Sequence, residues 1–212
     1  MPLQNRVTPF GEIVASAARG TLMGNRGGRL HRPDRTLGPR RWTNRVWIAC
    51  LLCFKGRRRT VMGDGYTELF FLDEPTALAA GHRPCFECRR AEAKAFAAAW
   101  GRAHELPRPP KAGEMDLALH RERLAPAGPV VPLDGLPDGT MVALPVDPAT
   151  AWLVAGDRLH PWSPGGYGPP VARPSGAATL LTPPAIVAAL RAGYVPRPAV
   201  IPPAPHPSTS SG

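Results

Sequence analysis

The chain has 212 residues, of which 43% are hydrophobic, so it is long enough and apolar enough to bury a globular core. It contains no uninterrupted stretch of about 18 apolar residues, which excludes a helix that spans a membrane, and its first residues lack the apolar segment of a secretory signal. We therefore expect a cytoplasmic protein, associated with the nucleoid if it binds DNA. Its formal net charge of +10 favours an acidic partner such as nucleic acid.

The positive charge is concentrated in the N-terminal half of the chain. Residues 1–100 contain 17 basic and 8 acidic residues, whereas residues 101–212 contain 9 and 8. Within the first half, residues 26–59 hold eleven basic residues and a single acid, Asp34. A GC-rich genome would explain the preference for arginine over lysine, but not the clustering in one window. Affinity for a polyanion is therefore predicted to lie in this half.

The N-terminal half is predicted to form a small sheet followed by a helix. Apolar runs predict strands at residues 10–17, 45–54 and 66–72, and residues 58–62 are predicted to return as the hairpin partner of the second strand. The Gly- and Arg-rich stretch 20–41 is predicted to be a loop. A helix is predicted to follow, with Asp73 as its cap, Pro75 in its first turn and Gly81 at its end.

A Cys-x-x-Cys turn leads into a second predicted helix, from residue 86 to residue 104, which has an apolar stripe along one face. Further elements are predicted beyond it: a short helix near 114–124, strands at 140–144 and 151–155, a Gly- and Pro-rich loop at 161–174, and a final helix from 182 to 193.

The whole pattern predicts an α+β fold, in which a small β-hairpin or sheet with a helix and a Cys-x-x-Cys knuckle is followed by a smaller β-rich segment and a C-terminal helix. The predicted boundaries are a basic module at residues 1–104, a linker at 105–113, a small α+β segment at 114–195 and a Pro-rich disordered tail at 196–212.

The four cysteines fall into two Cys-x-x-Cys pairs, Cys50 with Cys53 and Cys85 with Cys88, separated by 31 residues. This spacing is typical of a zinc site with four thiolate ligands. The first pair lies in a predicted strand, where residues i and i+3 point to opposite faces, so both can bind one ion only if the strand ends between them. Otherwise Cys50 and Cys53 are apolar strand residues and no zinc is bound.

Arginines and aromatic residues are interleaved in and around the predicted hairpin. Arginine forms charge-assisted hydrogen bonds with phosphate, and an exposed aromatic ring can stack on an unpaired base. The predicted contacts to nucleic acid are Arg40, Arg41, Trp42, Arg45, Arg57, Arg58, Arg59, Arg83, Arg89 and Arg90. Trp47 is assigned to the core instead. A solvated turn is the alternative explanation of the arginine cluster.

Residues 66–90 resemble the metal-binding N-terminal domain of the Ada family of methylphosphotriester repair proteins. The similar pieces are ELFF at residues 68–71, TALAAGHRPC at residues 76–85, and Cys88. The resemblance implies a strand, a helix and the second ligand pair of a four-cysteine zinc site, on a scaffold that faces DNA. The family's first ligand pair, which includes the methyl-accepting cysteine, would fall near residues 56–60, where this chain has Gly-Arg-Arg-Arg-Thr.

Three functions are compatible with these residues. The first is a DNA-binding or DNA-maintenance protein that contacts the phosphate backbone through the arginine-rich hairpin. The second is an enzyme that processes nucleic acid, such as a glycosylase or nuclease, and the third is a zinc-stabilised adaptor that binds protein. No catalytic residue is assigned. For the enzyme, the acids and base to test are Glu68, Asp73, Glu74, His120 and Glu122.

Overall fold

The computed structural model describes residues 1–57, 60–125 and 127–200 of the chain. In this part the chain forms two β-sheets and four α-helices, which confirms the predicted α+β class. The helices are α1 (Glu74–Ala79), α2 (Arg90–Ala103), α3 (Ala112–Arg123) and α4 (Pro184–Arg191). None of these helices is both long and apolar enough to cross a membrane.

Six N-terminal strands form the first sheet: β1 (Gln4–Val7), β2 (Ile13–Ala15), β3 (Leu22–Asn25), β4 (Ile48–Leu51), β5 (Leu69–Phe71) and β6 (Arg83–Pro84). Their order across the sheet is β2-β1-β5-β3-β4-β6. β1 pairs with β5, and β4 pairs with β6, in parallel, while the other neighbours are antiparallel. β6 therefore lies at an edge of the sheet, next to β4.

β3 lies in the Gly- and Arg-rich stretch that the sequence predicts to be a loop. Gly24 weakens the strand pattern but allows close packing, because a Cβ atom there would lie 2.1 Å from the carbonyl oxygen of Ile48. β4 is flanked by β3 and β6, so the predicted hairpin with residues 58–62 is wrong for the part of that range that is described, which forms no strand. Arg58 and Arg59 lie outside the described residues.

Seven strands form the second sheet: β7 (Val130–Pro132), β8 (Met141–Leu144), β9 (Asp147–Ala155), β10 (Arg158–Ser163), β11 (Gly166–Tyr167), β12 (Val171–Ala172) and β13 (Ala177–Leu180). Their order is β11-β10-β9-β8-β13-β7, with β12 also paired to β10, and all pairs are antiparallel. β8 and β9 correspond to predicted strands. The predicted loop at 161–174 instead contains the end of β10 and two short strands.

The start and end of α1 follow the predicted local signals. The Asp73 carboxylate accepts a hydrogen bond from the backbone N–H of Thr76 at 3.0 Å, and Pro75 lies in the first turn. Gly81 follows the helix with a φ of +76°, a conformation that favours glycine. α2 begins at Arg90 instead of residue 86, because the Cys-x-x-Cys segment forms a turn of its own.

One hydrophobic cluster joins residues from both sides of the predicted linker 105–113. Leu78 and Phe96 from the N-terminal side pack in it with Met115, Ile186 and other residues from the C-terminal side. All four of these side chains are fully buried. The segments before and after the predicted linker therefore share a core, and their stability is coupled through it.

The first residues of the predicted disordered tail are bound to the start of α1. The N–H of Arg197 donates to the Glu74 carboxylate at 3.0 Å, and the N–H of Ala199 donates to Asp73 at 2.9 Å. The N–H of Glu74 donates in return to the carbonyl oxygen of Arg197. Arg197 and Ala199 thus make defined contacts at the start of the predicted tail, and residues 201–212 lie outside the described part.

Two arginines that are predicted to contact nucleic acid are instead buried in ion pairs. Arg83 donates to both carboxylate oxygens of Asp116, at 2.9 and 2.7 Å, and Arg89 pairs with Glu74 at 2.7 Å. The exposed fraction of these four side chains is between 2% and 5%. Both guanidiniums are therefore used within the fold, where each is already neutralised by a buried carboxylate.

Replacing Asp116 by alanine should lower the free energy of unfolding by about 3–5 kcal/mol, because it leaves the Arg83 guanidinium buried without a counter-ion. Urea unfolding followed by circular dichroism measures this loss. The matched control is Arg108→Ala, which removes an exposed ion pair with Glu114 and should leave stability nearly unchanged. If Asp116→Ala is as mild as the control, the Arg83–Asp116 pair is not part of the core.

Candidate metal centre

The pairing of β4 with β6 brings Cys50 next to Cys85. The two strands run parallel with Ala49 opposite Pro84, and the N–H of Cys85 donates to the carbonyl oxygen of Ala49 at 3.0 Å. Proline is tolerated in β6 because this strand lies at the sheet edge, where a missing N–H costs no ladder bond. Each cysteine directly follows a paired residue, so the two thiols meet although they are 35 positions apart in the sequence.

The Cys-x-x-Cys turn then returns Cys88 to the same point. The N–H of Arg89 donates to the carbonyl oxygen of Cys85 at 3.0 Å, which closes one helical turn directly before α2. Residues three positions apart in such a turn lie on the same side of it. As a result, the sulfur atoms of Cys50, Cys85 and Cys88 all lie within 4.8 Å of one another.

The three sulfur atoms are close enough to bind a single metal ion. In a tetrahedral zinc site the Zn–S distance is about 2.3 Å, which places the sulfur atoms about 3.8 Å apart. In the structure no two of these sulfur atoms are more than 4.8 Å apart, so they need to move only slightly closer together to reach this spacing. All three residues are free thiols, not disulfides, so each sulfur is available as a ligand.

Backbone N–H groups point at two of the three sulfur atoms. The N–H of Glu87 donates to the Sγ of Cys85, and the N–H of Leu51 donates to the Sγ of Cys88, both at 3.4 Å. Hydrogen bonds of this kind stabilise the thiolate form and orient it. The donor set therefore fits a soft divalent ion such as zinc, for which thiolate is a preferred ligand.

The three thiols differ in the direction in which the structure shifts their pKa. A hydrogen bond from Cys50 lowers the pKa of Cys85 to about 5, with further help from the backbone N–H groups of Cys88 and Glu87. The same hydrogen bond, together with burial, raises the pKa of Cys50, and burial beside Cys85 raises the pKa of Cys88. Around neutral pH the cluster therefore carries one negative charge, and a metal ion would displace the two remaining protons.

Cys53 is not part of this cluster. β4 ends one residue after Cys50, and Cys53 is an exposed residue of the loop that follows. This loop lacks the helical turn that returns Cys88 to Cys85. The predicted set of four cysteines is therefore a set of three in the structure. The strand does end between Cys50 and Cys53, as a shared site would require, but the loop that follows leaves Cys53 exposed and outside the cluster.

A cavity of about 450 Å³ lies against the three thiols. Its wall includes Glu68, a buried carboxylate that accepts a hydrogen bond from the N–H of Met62 at 2.8 Å. The wall also includes Arg57 and Glu87, which form an exposed ion pair at 2.6 Å. A tetrahedral ion with three protein ligands keeps one position for a solvent or substrate atom, and the cavity offers the space for it.

Some of the residues predicted to contact nucleic acid lie on the surface, and others are buried. Those on the surface are Arg40, Arg41, Trp42, Arg45, Arg57 and Arg90. Arg58 and Arg59 lie outside the described residues, while Arg83 and Arg89 are buried in ion pairs. Six of the ten predicted contacts are therefore accessible to a ligand in solution.

Most of the acids considered for catalysis serve the fold. Asp73 caps α1, and Glu74 forms a buried ion pair. Glu122 accepts a backbone N–H at the start of α4, and the His120 ring packs edge-on against an exposed tryptophan. Glu68 is the member of this set that lies in the wall of the thiol cavity.

Sequence reasoning does not single out Arg26 and Arg123, whose guanidinium carbons lie 4.1 and 4.4 Å from the centre of the Trp47 ring. With Arg41 and Trp42 they line a second cavity, of about 570 Å³. Arginine is common in this chain, so no local pattern distinguishes a buried arginine from an exposed one.

No protein-family model, curated protein or solved structure matches this chain. The resemblance of residues 66–90 to the Ada family therefore stays a prediction. The structure does contain a strand, a helix and a Cys-x-x-Cys turn in that segment, in the order that the resemblance implies. What the chain does must be inferred from the geometry of its own residues.

Proposed function

We propose that the chain is a zinc-stabilised protein that binds nucleic acid, with DNA as the expected form. Cys50, Cys85 and Cys88 would hold the zinc ion. The exposed arginines of the basic segment, residues 26–57, would contact the phosphate backbone. The observation that carries the proposal is the convergence of three free thiols, one of them within a basic segment in which seven of nine basic residues have no acidic partner within 4.0 Å in the described part of the chain.

Zinc would act here as a cross-link within the fold. It would join the end of β4 to the turn that leads into α2, so that the free energy of metal binding contributes directly to folding. Thiolate ligands favour zinc over magnesium and calcium, which prefer oxygen ligands. The backbone donors to Cys85 and Cys88 support the same assignment.

The basic segment supports the nucleic-acid part of the proposal. It has nine basic residues, of which all except Arg26 are exposed. Two of them pair with acids within 4.0 Å, Arg29 with Asp64 and Arg57 with Glu87. The other seven have no acidic partner at that distance in the described part of the chain. Clustered charge of this kind is the electrostatic signature of a surface that binds a polyanion.

A metal-dependent enzyme that processes nucleic acid is the second candidate, and the cavity beside the thiols favours it. Structural zinc sites usually have four protein ligands, whereas catalytic sites have three and keep one position for water. Bound zinc would lower the pKa of that water. Glu68 is a carboxylate in the wall of the same cavity, where it is placed to accept a proton.

Cys88→Ser should abolish stoichiometric zinc binding and lower the melting temperature of the zinc-loaded protein, because it removes a thiolate ligand. Metal analysis of the purified protein and thermal unfolding measure the two effects. The matched control is Cys53→Ser, which should keep both the zinc and the stability, because Cys53 is exposed and lies outside the cluster. Substitution with cobalt(II) should give the visible absorption of tetrahedral thiolate coordination.

Two outcomes would contradict this zinc site. Equal loss of zinc from both variants would show that Cys53 moves into the site and completes a four-cysteine set. A zinc content far below one ion per chain in the unsubstituted protein, after loading with zinc, would refute zinc binding altogether.

Replacing Arg40 and Arg45 together by alanine should weaken binding to duplex DNA of any sequence. It should also flatten the slope of log K against log salt by about 1.8, since each phosphate contact contributes about 0.9. Fluorescence anisotropy at several salt concentrations measures the slope. The control is the double change Lys94→Ala and Arg191→Ala, which removes the same charge from exposed positions outside the basic segment. An unchanged slope in the folded double variant would place the binding surface elsewhere.

If the second candidate is right, the zinc-loaded protein should convert a damaged, mismatched or single-stranded oligonucleotide, and a chelator should stop the reaction. Glu68→Gln should lower the rate by about 10² to 10⁴, the usual effect of losing a general base. Glu105→Gln, an exposed acid outside the cavity, is the control. Gel analysis of the products measures turnover, and an unaffected rate in Glu68→Gln would remove Glu68 from the mechanism.

A further inference from the structure

The second cavity is lined by residues from both halves of the chain and has a volume of about 570 Å³. The charged residues in its wall are Arg26, Arg41, Glu122 and Arg123, a formal net charge of +2. Two tryptophans, Trp42 and Trp47, also line it. Guanidinium groups and indole rings in one concave site are the chemistry that recognises an anion attached to a flat ring.

Arg26 is a buried arginine whose hydrogen-bond partners are all neutral. Its guanidinium donates to the carbonyl oxygens of Gly11 and Arg41, at 2.8 and 3.5 Å, and to Nε2 of His82 at 3.3 Å. These bonds leave an N–H group unused on each terminal nitrogen. Arg26 is only 2% exposed and has no acid within 4.0 Å in the described part of the chain. Buried charges are normally paired, so Arg26 has the donors and the charge to bind an anion.

Arg123 adds a second unpaired guanidinium to the same wall. It donates to the carbonyl oxygens of Gly81 and Arg45, both at 3.0 Å. Gly81 is required for this approach, because a Cβ atom there would lie 2.8 Å from the Nε of Arg123. The carboxylate of Glu122 accepts a backbone N–H at the start of α4 and forms no ion pair within 4.0 Å with either arginine in the described part of the chain, although its charge acts on Arg123.

The ionisation of Arg26 reports both its burial and the positive charges around it, whereas that of Arg123 reports chiefly its burial. Burial, together with the charges of Arg123 and Arg41, lowers the pKa of Arg26 to about 9. Burial also lowers the pKa of Arg123 to about 10. An anion bound between these groups would raise both pKa values again. By the same linkage, the anion binds more tightly to the charged form of each arginine than to its neutral form.

Trp42 supplies the surface for a flat ring. It is 40% exposed, and its ring centre lies 6.2 Å from that of Trp47, at an angle of 47°. Small apolar residues such as Pro9, Ala80 and Pro183 line other parts of the cavity. A wall of this kind accommodates a planar ring without offering it strong hydrogen bonds, so stacking would dominate.

We propose that this cavity binds a nucleotide, with its phosphate on Arg26, Arg41 and Arg123 and its base against Trp42. A phosphate monoester carries about −1.5 to −2 charges near neutral pH, which matches the formal charge of the wall. The volume falls within the range of about 300–1,000 Å³ that is usual for small-molecule sites. A free nucleotide and the phosphorylated end of a nucleic-acid strand offer the same chemistry. Neither the thiol cluster nor the surface arginines Arg40 and Arg45 enter this inference.

Isothermal titration calorimetry of the full chain with adenosine 5′-monophosphate tests the site. The nucleotide should bind, whereas adenosine, which lacks the phosphate, should bind at least about tenfold more weakly. Inorganic phosphate should also bind more weakly, because it lacks the stacking base. Competition with oligonucleotides that end in 5′-phosphate or 5′-hydroxyl shows whether the natural ligand is a free nucleotide or a strand end. If only the phosphorylated strand displaces the bound nucleotide, the ligand is a strand end. If neither strand displaces it, the ligand is a free nucleotide.

Two exposed residues of the cavity can be changed without disturbing the core. Arg41→Gln should weaken the binding of the nucleotide and of phosphate about tenfold but leave adenosine unaffected. Trp42→Leu should weaken the nucleotide and adenosine but leave phosphate unaffected. The matched control is Arg121→Gln, which removes the same charge from an exposed position next to the wall residue Glu122 but outside the cavity wall.

Three results would overturn the nucleotide site in the folded protein: no binding of the nucleotide at millimolar concentration, adenosine binding as tightly as the nucleotide, or equal losses in Arg121→Gln and Arg41→Gln. The last result would mean that the nucleotide responds only to the general charge of the surface. Failure of DNA binding or of zinc binding would be seen in other variants, so the two proposals can fail separately.

Discussion

The buried ion pair between Glu74 and Arg89 fixes the point at which α2 begins. Glu74 is the first residue of α1, and Arg89 directly follows Cys88; their charged groups are 2.7 Å apart. The same carboxylate accepts hydrogen bonds from the hydroxyl of Tyr194 at 2.5 Å and from the N–H of Arg197 at 3.0 Å. One acid therefore connects α1, α2 and the C-terminal segment. Because Cys88 precedes Arg89, the position of the thiol cluster depends on this contact.

The thiol cavity and the arginine-lined cavity differ in the sign of their charge, and the pairing of the arginines contributes to the difference. Arg83 and Arg89 have buried acidic partners, so their charges are cancelled within the fold. Arg26 and Arg123 lack such partners and leave their cavity positive. The thiol cavity has the opposite character, since it combines a thiolate with the carboxylate of Glu68. One site thus suits a cation and the other an anion, and the basic segment reaches both.

Much of the local structure could be predicted from the sequence, because it depends on residues within a few positions of one another. The cap at Asp73, the end of α1 at Gly81 and the Cys-x-x-Cys turn before α2 all belong to this class. The alternation of strand and helix patterns likewise predicted the α+β class. Local logic did not decide the fate of Cys53: β4 ends between Cys50 and Cys53, yet the loop that follows keeps Cys53 out of the cluster.

The sequence by itself therefore determined the α+β class, the limits of α1 and the turn that carries the second pair of thiols. Only the tertiary structure decided that β4 lies between β3 and β6, which brings Cys50 to Cys85, because strand pairing depends on contacts between residues far apart in the chain. Tertiary contacts also decided the role of each arginine. Arg83 meets Asp116, whereas Arg26 meets only neutral groups, and nothing in the neighbouring residues of either arginine encodes that difference. Burial and pairing are properties of the folded surroundings, and they separate an arginine that stabilises the core from one that can bind a ligand.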